Sequence, residues 1–236
     1  MKFRLVALAA LAIASGQTHA DTIALWDFNS YTCTSGCAAP KVTQSANGAW
    51  VSGVGGVTLV GGVAGSSSPN AMNTSNYAAQ GTEDKQRGVQ FLIDTSGYTD
   101  LVLTFAQRNS NSASAWTVLQ YTINGSDWLD AATFQMKSGA TFVNGLTYDF
   151  TNVEGVNDNA AFGIRFVATF APGTNAYAFT AGTSPYGPSG TIRYDNVLLT
   201  GDAIPDITPV PEPQTYALML AGLAAVGLIA RRRRLG

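Results

Sequence analysis

Histidine is almost absent from these 236 residues, and the single copy is His19. With no imidazole downstream of it, a Ser-His-Asp or Cys-His mechanism lacks its base, and the commonest zinc and iron ligand is missing. Glutamate is nearly as scarce: between Asp21 and Val210 only Glu83 and Glu154 occur, so a hydrolase here would have to work with aspartate or lysine. Cysteine is limited to Cys33 and Cys37, in Thr32-Cys33-Thr34-Ser35-Gly36-Cys37. Two thiols fall short of a structural zinc set, and their spacing reads as a short local disulfide pinning a turn. Positive charge is thin too. Asp21 to Val210 holds seven Lys plus Arg against fourteen Asp plus Glu, a net of −7, whereas the whole chain carries −2. An acidic body argues against nucleic acid and anionic lipid, which need a basic patch, and is compatible with neutral sugars and divalent cations.

A sustained apolar period of 3.6 is also missing from the body, which argues against helices there. Strand signals take its place. Thr22 to Phe28, Gly88 to Asp94, Asp100 to Arg108, Trp116 to Ile123, Ala161 to Phe170 and Thr191 to Thr200 are runs rich in Val, Ile, Thr, Phe and Tyr, bounded by Gly, Asn, Ser and Asp. Leu101, Leu103 and Phe105 share one face of their run, as do Ile164, Phe166, Ala168 and Phe170. Asn124-Gly125 after Tyr121-Thr122-Ile123 predicts a hairpin with a type I′ turn. Gly48 to Gly65 reads as one or two twisted edge strands with bulges, and Ser66 to Arg87 as a long surface loop. The pattern predicts an all-β, antiparallel β-sandwich, jelly-roll-like.

The two ends carry addresses. Lys2 and Arg4 precede an apolar run from Leu5 to Ala14, and Thr18-His19-Ala20 offers a cleavage site, so residues 1–20 read as a secretory signal peptide. The C-terminus places Val210-Pro211-Glu212-Pro213 before an uncharged apolar run, Thr215 to Ala230, and then Arg231, Arg232, Arg233 and Arg234. The apolar run predicts a transmembrane helix over 215–230, about 24 Å long against a hydrocarbon core of about 30 Å, with the arginines on the cytoplasmic side. Tetrapeptide, apolar run and arginine cluster in this order resemble the PEP-CTERM sorting signal of Gram-negative bacteria. The resemblance implies that an exosortase-type membrane protease recognises Pro211, Glu212 and Pro213. It further implies transient residence at the inner membrane after export through the Sec pathway, then the cell surface or a matrix of exopolysaccharide and biofilm. The expected organisation is a signal peptide (1–20), a sandwich domain (21–204), a linker with the sorting motif (205–214), the helix (215–230) and a basic tail (231–236).

Three sets of body residues are candidates for chemistry. Ala24 to Asn29 and Ile192 to Leu199 resemble the opening and closing strands of exported jelly-roll sandwiches, including carbohydrate-binding modules and adhesion domains of the MAM type. That resemblance implies paired terminal strands and a structural calcium ion, for which Asp27, Asn29, Asp195 and Asn196 supply oxygen atoms; the alternative is that Asp195-Asn196 caps a turn. Trp128, Tyr177 and Tyr186, with Trp50 and Tyr98, stand in segments that contain Gly, Ser or Asp and are candidates for stacking on sugar rings, against core packing as the ordinary alternative. Asp127 with Asp130, or Glu83 with Asp84, are the carboxylate pairs a glycosidase would need, though neither sits in a motif. The reading favoured is a non-catalytic surface or matrix protein, carbohydrate-binding or adhesive, with a secreted polysaccharide hydrolase as the alternative.

Overall fold

The computed structural model describes residues 20–66, 69–205 and 213–234. The expected signal peptide and most of the sorting tetrapeptide lie outside these residues. The chain divides into two compact units, Met1–Ile204 and Pro205–Gly236.

The first unit is built from twelve strands: β1 (Asp21–Trp26), β2 (Gln44–Ser45), β3 (Ala49–Val54), β4 (Thr58–Val63), β5 (Ala71–Ser75), β6 (Gly88–Ile93), β7 (Tyr98–Asn109), β8 (Trp116–Thr122), β9 (Leu129–Gln135), β10 (Val143–Asp149), β11 (Gly163–Ala168) and β12 (Ile192–Ala203). They form two antiparallel sheets. One has seven strands in the order β10-β7-β12-β1-β2, with β5 on β12 and β4 on β5; the other has five in the order β3-β6-β11-β8-β9. The opening and closing strands pair directly, with Leu25 opposite Leu198 and Trp26 opposite Val197.

Alternation decides what lies between the sheets. Val89, Phe91 and Ile93 of β6 and Ile164, Phe166 and Ala168 of β11 are buried, as are Leu101, Leu103 and Phe105 of β7 and Tyr194 of β12. Phe166 joins the layers: its ring lies 5.0 Å from Tyr194 in a stack, 4.4 Å from Phe105 and 6.0 Å from Phe91. Truncating such a fully enclosed ring costs about 3–5 kcal/mol, since the lost contacts leave a cavity.

Three local expectations need correction. Ser66 to Arg87 is not wholly loop, because Ala71–Ser75 forms β5, four of whose five residues are buried. Its polar composition hides a strand whose Thr74 hydroxyl donates to the Ile192 carbonyl at 2.7 Å. Three strands, β2, β9 and β10, also lie where no strand is expected; all are sheet-edge strands whose residues are exposed or half-exposed, so no buried stripe marks them. The turn at Asn124-Gly125 is not a two-residue type I′ turn, since Gly125 has positive φ and Asn124 does not. Asn124 instead accepts hydrogen bonds on Oδ1 from Ser126 N, Ser126 Oγ and Asp127 N, so its side chain organises a longer connection.

The glycine-rich stretch has a steric reason. At Gly61 an added Cβ would fall 1.8 Å from the Tyr31 carbonyl oxygen. Gly61 N and Gly62 N donate to Cys33 O and Tyr31 O, which lays the segment after β1 across β4. Cys33 and Cys37 are disulfide-bonded, with Cα atoms 5.6 Å apart, and close the exposed turn of that segment.

Among its described residues the second unit has one helix, α1 (Pro213–Arg234), which begins on proline, a residue suited to the first helical position. The arginines continue the helix as its last turn, where positive charge complements the helix dipole. Among the described residues no helix is long and apolar enough to cross a membrane. The expectation of a transmembrane span over 215–230 is therefore corrected: the apolar run is short, and the helix that contains it ends in charge.

Candidate functional site

The outer face of the five-stranded sheet gathers polar side chains at the centres of its strands. Register sets them in rows. Ser52 of β3 faces Gln90 of β6, Gln90 faces Arg165 of β11, Arg165 faces Gln120 of β8, and Gln120 faces Asp130 of β9. All point outward because their neighbours Val51, Val89, Phe91, Ile164, Phe166 and Leu119 point into the core. With strands about 4.8 Å apart, the row is roughly 19 Å long.

Most of this row is joined by hydrogen bonds. Gln90 Nε2 donates to Ser52 Oγ at 3.1 Å, Arg165 Nε to Gln120 Oε1 at 2.5 Å, and Gln120 Nε2 to Asp130 Oδ1 at 2.6 Å. Lys85 ends the row with Nζ 2.5 Å from Asp130 Oδ2. Among the described residues no hydrogen bond joins Gln90 to Arg165. The charges tune one another: partial burial pushes the Asp130 carboxyl up, but hydrogen bonds from Lys85 and Gln120 and the Lys85 and Arg165 charges outweigh it and hold it below its ordinary value. Burial lowers the Arg165 guanidinium, and the Asp130 charge opposes that.

Three of the four tryptophans share this face. Trp128 lies over the Arg165 guanidinium, 4.5 Å from ring centroid to Cζ, in a cation-π contact. Trp50 is 56% exposed on β3, one row to the side of Ser52 and directly opposite Leu92. Trp116 projects outward from the far end of β8, on the other side of the row. The face is closed at one end only. Lys85 N donates to Ala168 O while its Nζ reaches Asp130, so its stem crosses the row of Val167 and Val118, which are buried although they point outward. The Trp50 end stays open.

The other candidates lie elsewhere. Tyr177 is buried, with its ring stacked 4.5 Å from Tyr186 and edge-on to Phe170, so it offers no free face to a sugar. Its hydroxyl donates to the Thr82 and Glu83 carbonyls, and the half-buried Tyr186 donates to the Ala78 carbonyl at 2.7 Å. These two rings fasten the segment before β12 to the segment before β6. Burial pushes the Tyr186 phenol up to about 12 against an opposing pull from Arg87, and Tyr177 is raised for the same first reason.

Asp27, Asn29, Asp195 and Asn196 gather at one end of the β1–β12 pair, where Ser66 contacts Asp195 and Asn196 and Asn70 contacts Asn29. Asp27 Oδ1 accepts from Thr43 Oγ1 and Asn29 N, and Asp195 accepts from Ser66 N, Ser66 Oγ and Asn196 N. Asn29 O accepts from Asn70, and the Asn29 Oδ1 atom is buried without a hydrogen-bond partner. A cation would have to displace several of these donors, and among the described residues no group of three His, Cys, Asp or Glu is placed to hold a metal.

Of the carboxylate pairs, Asp127 accepts from Asn124 Nδ2 in the exposed turn, while Asp130 belongs to the polar row. Glu83 pairs with Arg87, and Asp84 Oδ1 accepts from Thr169 Oγ1 and Phe170 N. An Asp130 held ionised with both oxygens occupied is poorly suited to general-acid work.

Against this geometry the tail is decisive. Residues 209–234 carry a PEP-CTERM protein-sorting motif. It includes Val210, Pro211, Glu212 and Pro213 and the arginines of α1. No curated protein matches the chain. Among solved structures, a xylan-binding domain of family 22 from Paenibacillus barcinonensis is 9% identical, with a TM-score of 0.44, covering 80% of this chain and 99% of that one. A two-module fragment of a Clostridium thermocellum endo-xylanase, solved with xylohexaose, is 9% identical with a TM-score of 0.44, and the match spans 68% of this chain but only 27% of that one. A cleaved adhesin domain of Lys-gingipain from Porphyromonas gingivalis is 11% identical with a TM-score of 0.41, over 80% and 100% of the two chains.

Proposed function

We propose that this is a non-catalytic, sorted surface or matrix protein whose body binds a polysaccharide across the outer face of the five-stranded sheet. The observation that carries the reading is the row from Ser52 to Asp130 with Trp50 and Trp128 beside it. Amides, a guanidinium and a carboxylate in fixed positions match the donor and acceptor hydroxyls of a sugar chain, and indole faces match the apolar faces of its rings. The open Trp50 end and the unbridged step between Gln90 and Arg165 are where a glycan has room to dock. Export, processing by an exosortase at Pro211-Glu212-Pro213 and association with exopolysaccharide or biofilm follow from the tail on this reading.

Retardation of the full chain in native gels cast with exopolysaccharide tests the proposal. Retardation without release of reducing ends, weakened by Trp50→Ala, supports it; reducing ends that appear with wild type and vanish with Asp127→Asn or Asp130→Asn favour the hydrolase instead. For sorting, Glu212→Ala should abolish the processed mass, and an unchanged mass contradicts it. Calcium at Asp27, Asn29, Asp195 and Asn196 is a separate proposal about stability: chelation lowers Tm if it is right and leaves Tm unchanged if it is wrong.

A further inference from the structure

The outer face of the seven-stranded sheet holds two arginines that no acid among the described residues pairs with. Arg108 of β7 and Arg193 of β12 are directly opposite in an antiparallel pair, so both side chains leave the same face with Cβ atoms about 4.5–5.5 Å apart. Like charges in that position destabilise a sheet. Both side chains are half-buried, so water screens them incompletely. The other cross-strand neighbour of Arg193 is Asn73, which brings no charge.

Acids are plentiful in a body of net charge −7, yet the ion pairs among the described residues are Lys85–Asp130 and Arg87–Glu83. The nearest carboxylate along β12, Asp195, accepts from Ser66 and Asn196 N. Arg193 is correspondingly undersatisfied. Its Nη1 reaches the Ala64 carbonyl at 3.3 Å, and its Nε is buried with no hydrogen-bond partner. Burial and the Arg108 charge both push its guanidinium below the ordinary value. A buried donor left unmatched and a repelling neighbour are two costs that one ligand removes together.

We propose that Arg108 and Arg193 form a binding site for an oxyanion, a carboxylate or sulfate group, on the face of the sandwich opposite the tryptophan row. A guanidinium presents a planar fork of N–H donors that suits the paired oxygens of such a group, and two adjacent forks bind one between them. The group is borne by an acidic polysaccharide or is a free inorganic anion. The site does not depend on the sugar-binding reading of the other face.

The test uses the full chain, as wild type and as Arg108→Gln, Arg193→Gln and Arg108→Lys. Calorimetric titrations use oligogalacturonate, a neutral oligosaccharide of equal length, and sodium sulfate against sodium chloride at equal ionic strength. The expected result is saturable binding of oligogalacturonate or sulfate, lowered at least about tenfold in Arg108→Gln, retained in part by Arg108→Lys, and weakened by added chloride. Binding of oligogalacturonate alone assigns the anion to a polysaccharide, and binding of both assigns the site to the oxyanion itself. Without ligand, Arg108→Gln should melt at or above the wild-type temperature, because repulsion is relieved; it therefore carries the test even if Arg193→Gln fails to fold. The proposal is overturned if neither anion binds saturably, or if folded Arg108→Gln binds as tightly as wild type.

Discussion

The two outer faces of the sandwich handle buried charge in opposite ways. On the five-stranded sheet, Arg165 is answered by Gln120, Asp130 and Trp128, so a half-buried cation sits in a connected network. On the seven-stranded sheet, Arg193 faces Arg108 and keeps a buried Nε without a partner. The difference teaches that a side chain's chemistry is set by the register that brings its neighbours. A satisfied row is rigid and presents its remaining groups in fixed positions, whereas an opposed pair stores repulsion that a ligand can relieve.

The largest effect that would break this comparison is expected from Arg165→Met. It keeps the bulk but leaves Gln120 Oε1 without its donor, which should cost about 1–3 kcal/mol of stability and remove polysaccharide retention; chemical denaturation and gel retardation read the two. If stability and retention both hold, the row is decoration.

Much of the frame behind that comparison was legible in the sequence. Six strand runs and their alternation follow from Val, Ile, Phe and Thr at period two, because burying one face demands it; the pairing of the terminal strands came instead from the resemblance of Ala24 to Asn29 and Ile192 to Leu199 to exported jelly-roll sandwiches. The candidate site was less legible. Trp128 stood out beside its turn, but Arg165, Gln120 and Gln90 did not, although each is a polar residue at the centre of a strand whose neighbours are apolar. Period two places such a residue outward in the middle of a sheet, and that signal was available. What no single strand reveals is which outward residues share a row, since that depends on register between segments up to 75 residues apart, as with Gln90 and Arg165. Tyr177 and Tyr186 show the opposite error: Gly and Ser in their segment suggest exposure, yet loop-to-loop packing buries the first and half-covers the second. The edge strands β9 and β10 escaped because they lack a buried stripe.

A smaller effect sharpens the same contrast. Lys85→Met removes an ion pair exposed on both sides, so the expected cost is at most about 1 kcal/mol. Polysaccharide retention should persist, because the open Trp50 end is untouched; lost retention would move the binding end to Lys85.

A different effect comes with alkali. Tyr177 and Tyr186 have raised folded pKa values through burial, so above the unfolded phenol value of about 10 the unfolded chain binds fewer protons than the folded one. Their contribution to stability is complete below that value and falls as pH rises from about 10 toward the folded values. Melting scans from pH 8 to 11 should show Tm falling only above about 10, and Tyr186→Phe should reduce that fall. A fall that begins near neutrality would point to some other group.

The claim that the tryptophan face is the polysaccharide surface is tested most directly by hydrogen exchange of the full chain with and without exopolysaccharide. The account predicts added protection in β3, β6, β11 and β8, centred on Trp50, Gln90 and Arg165, with β4 and β5 unchanged. Protection confined to the seven-stranded sheet, or none anywhere while the polymer is retained, would contradict it.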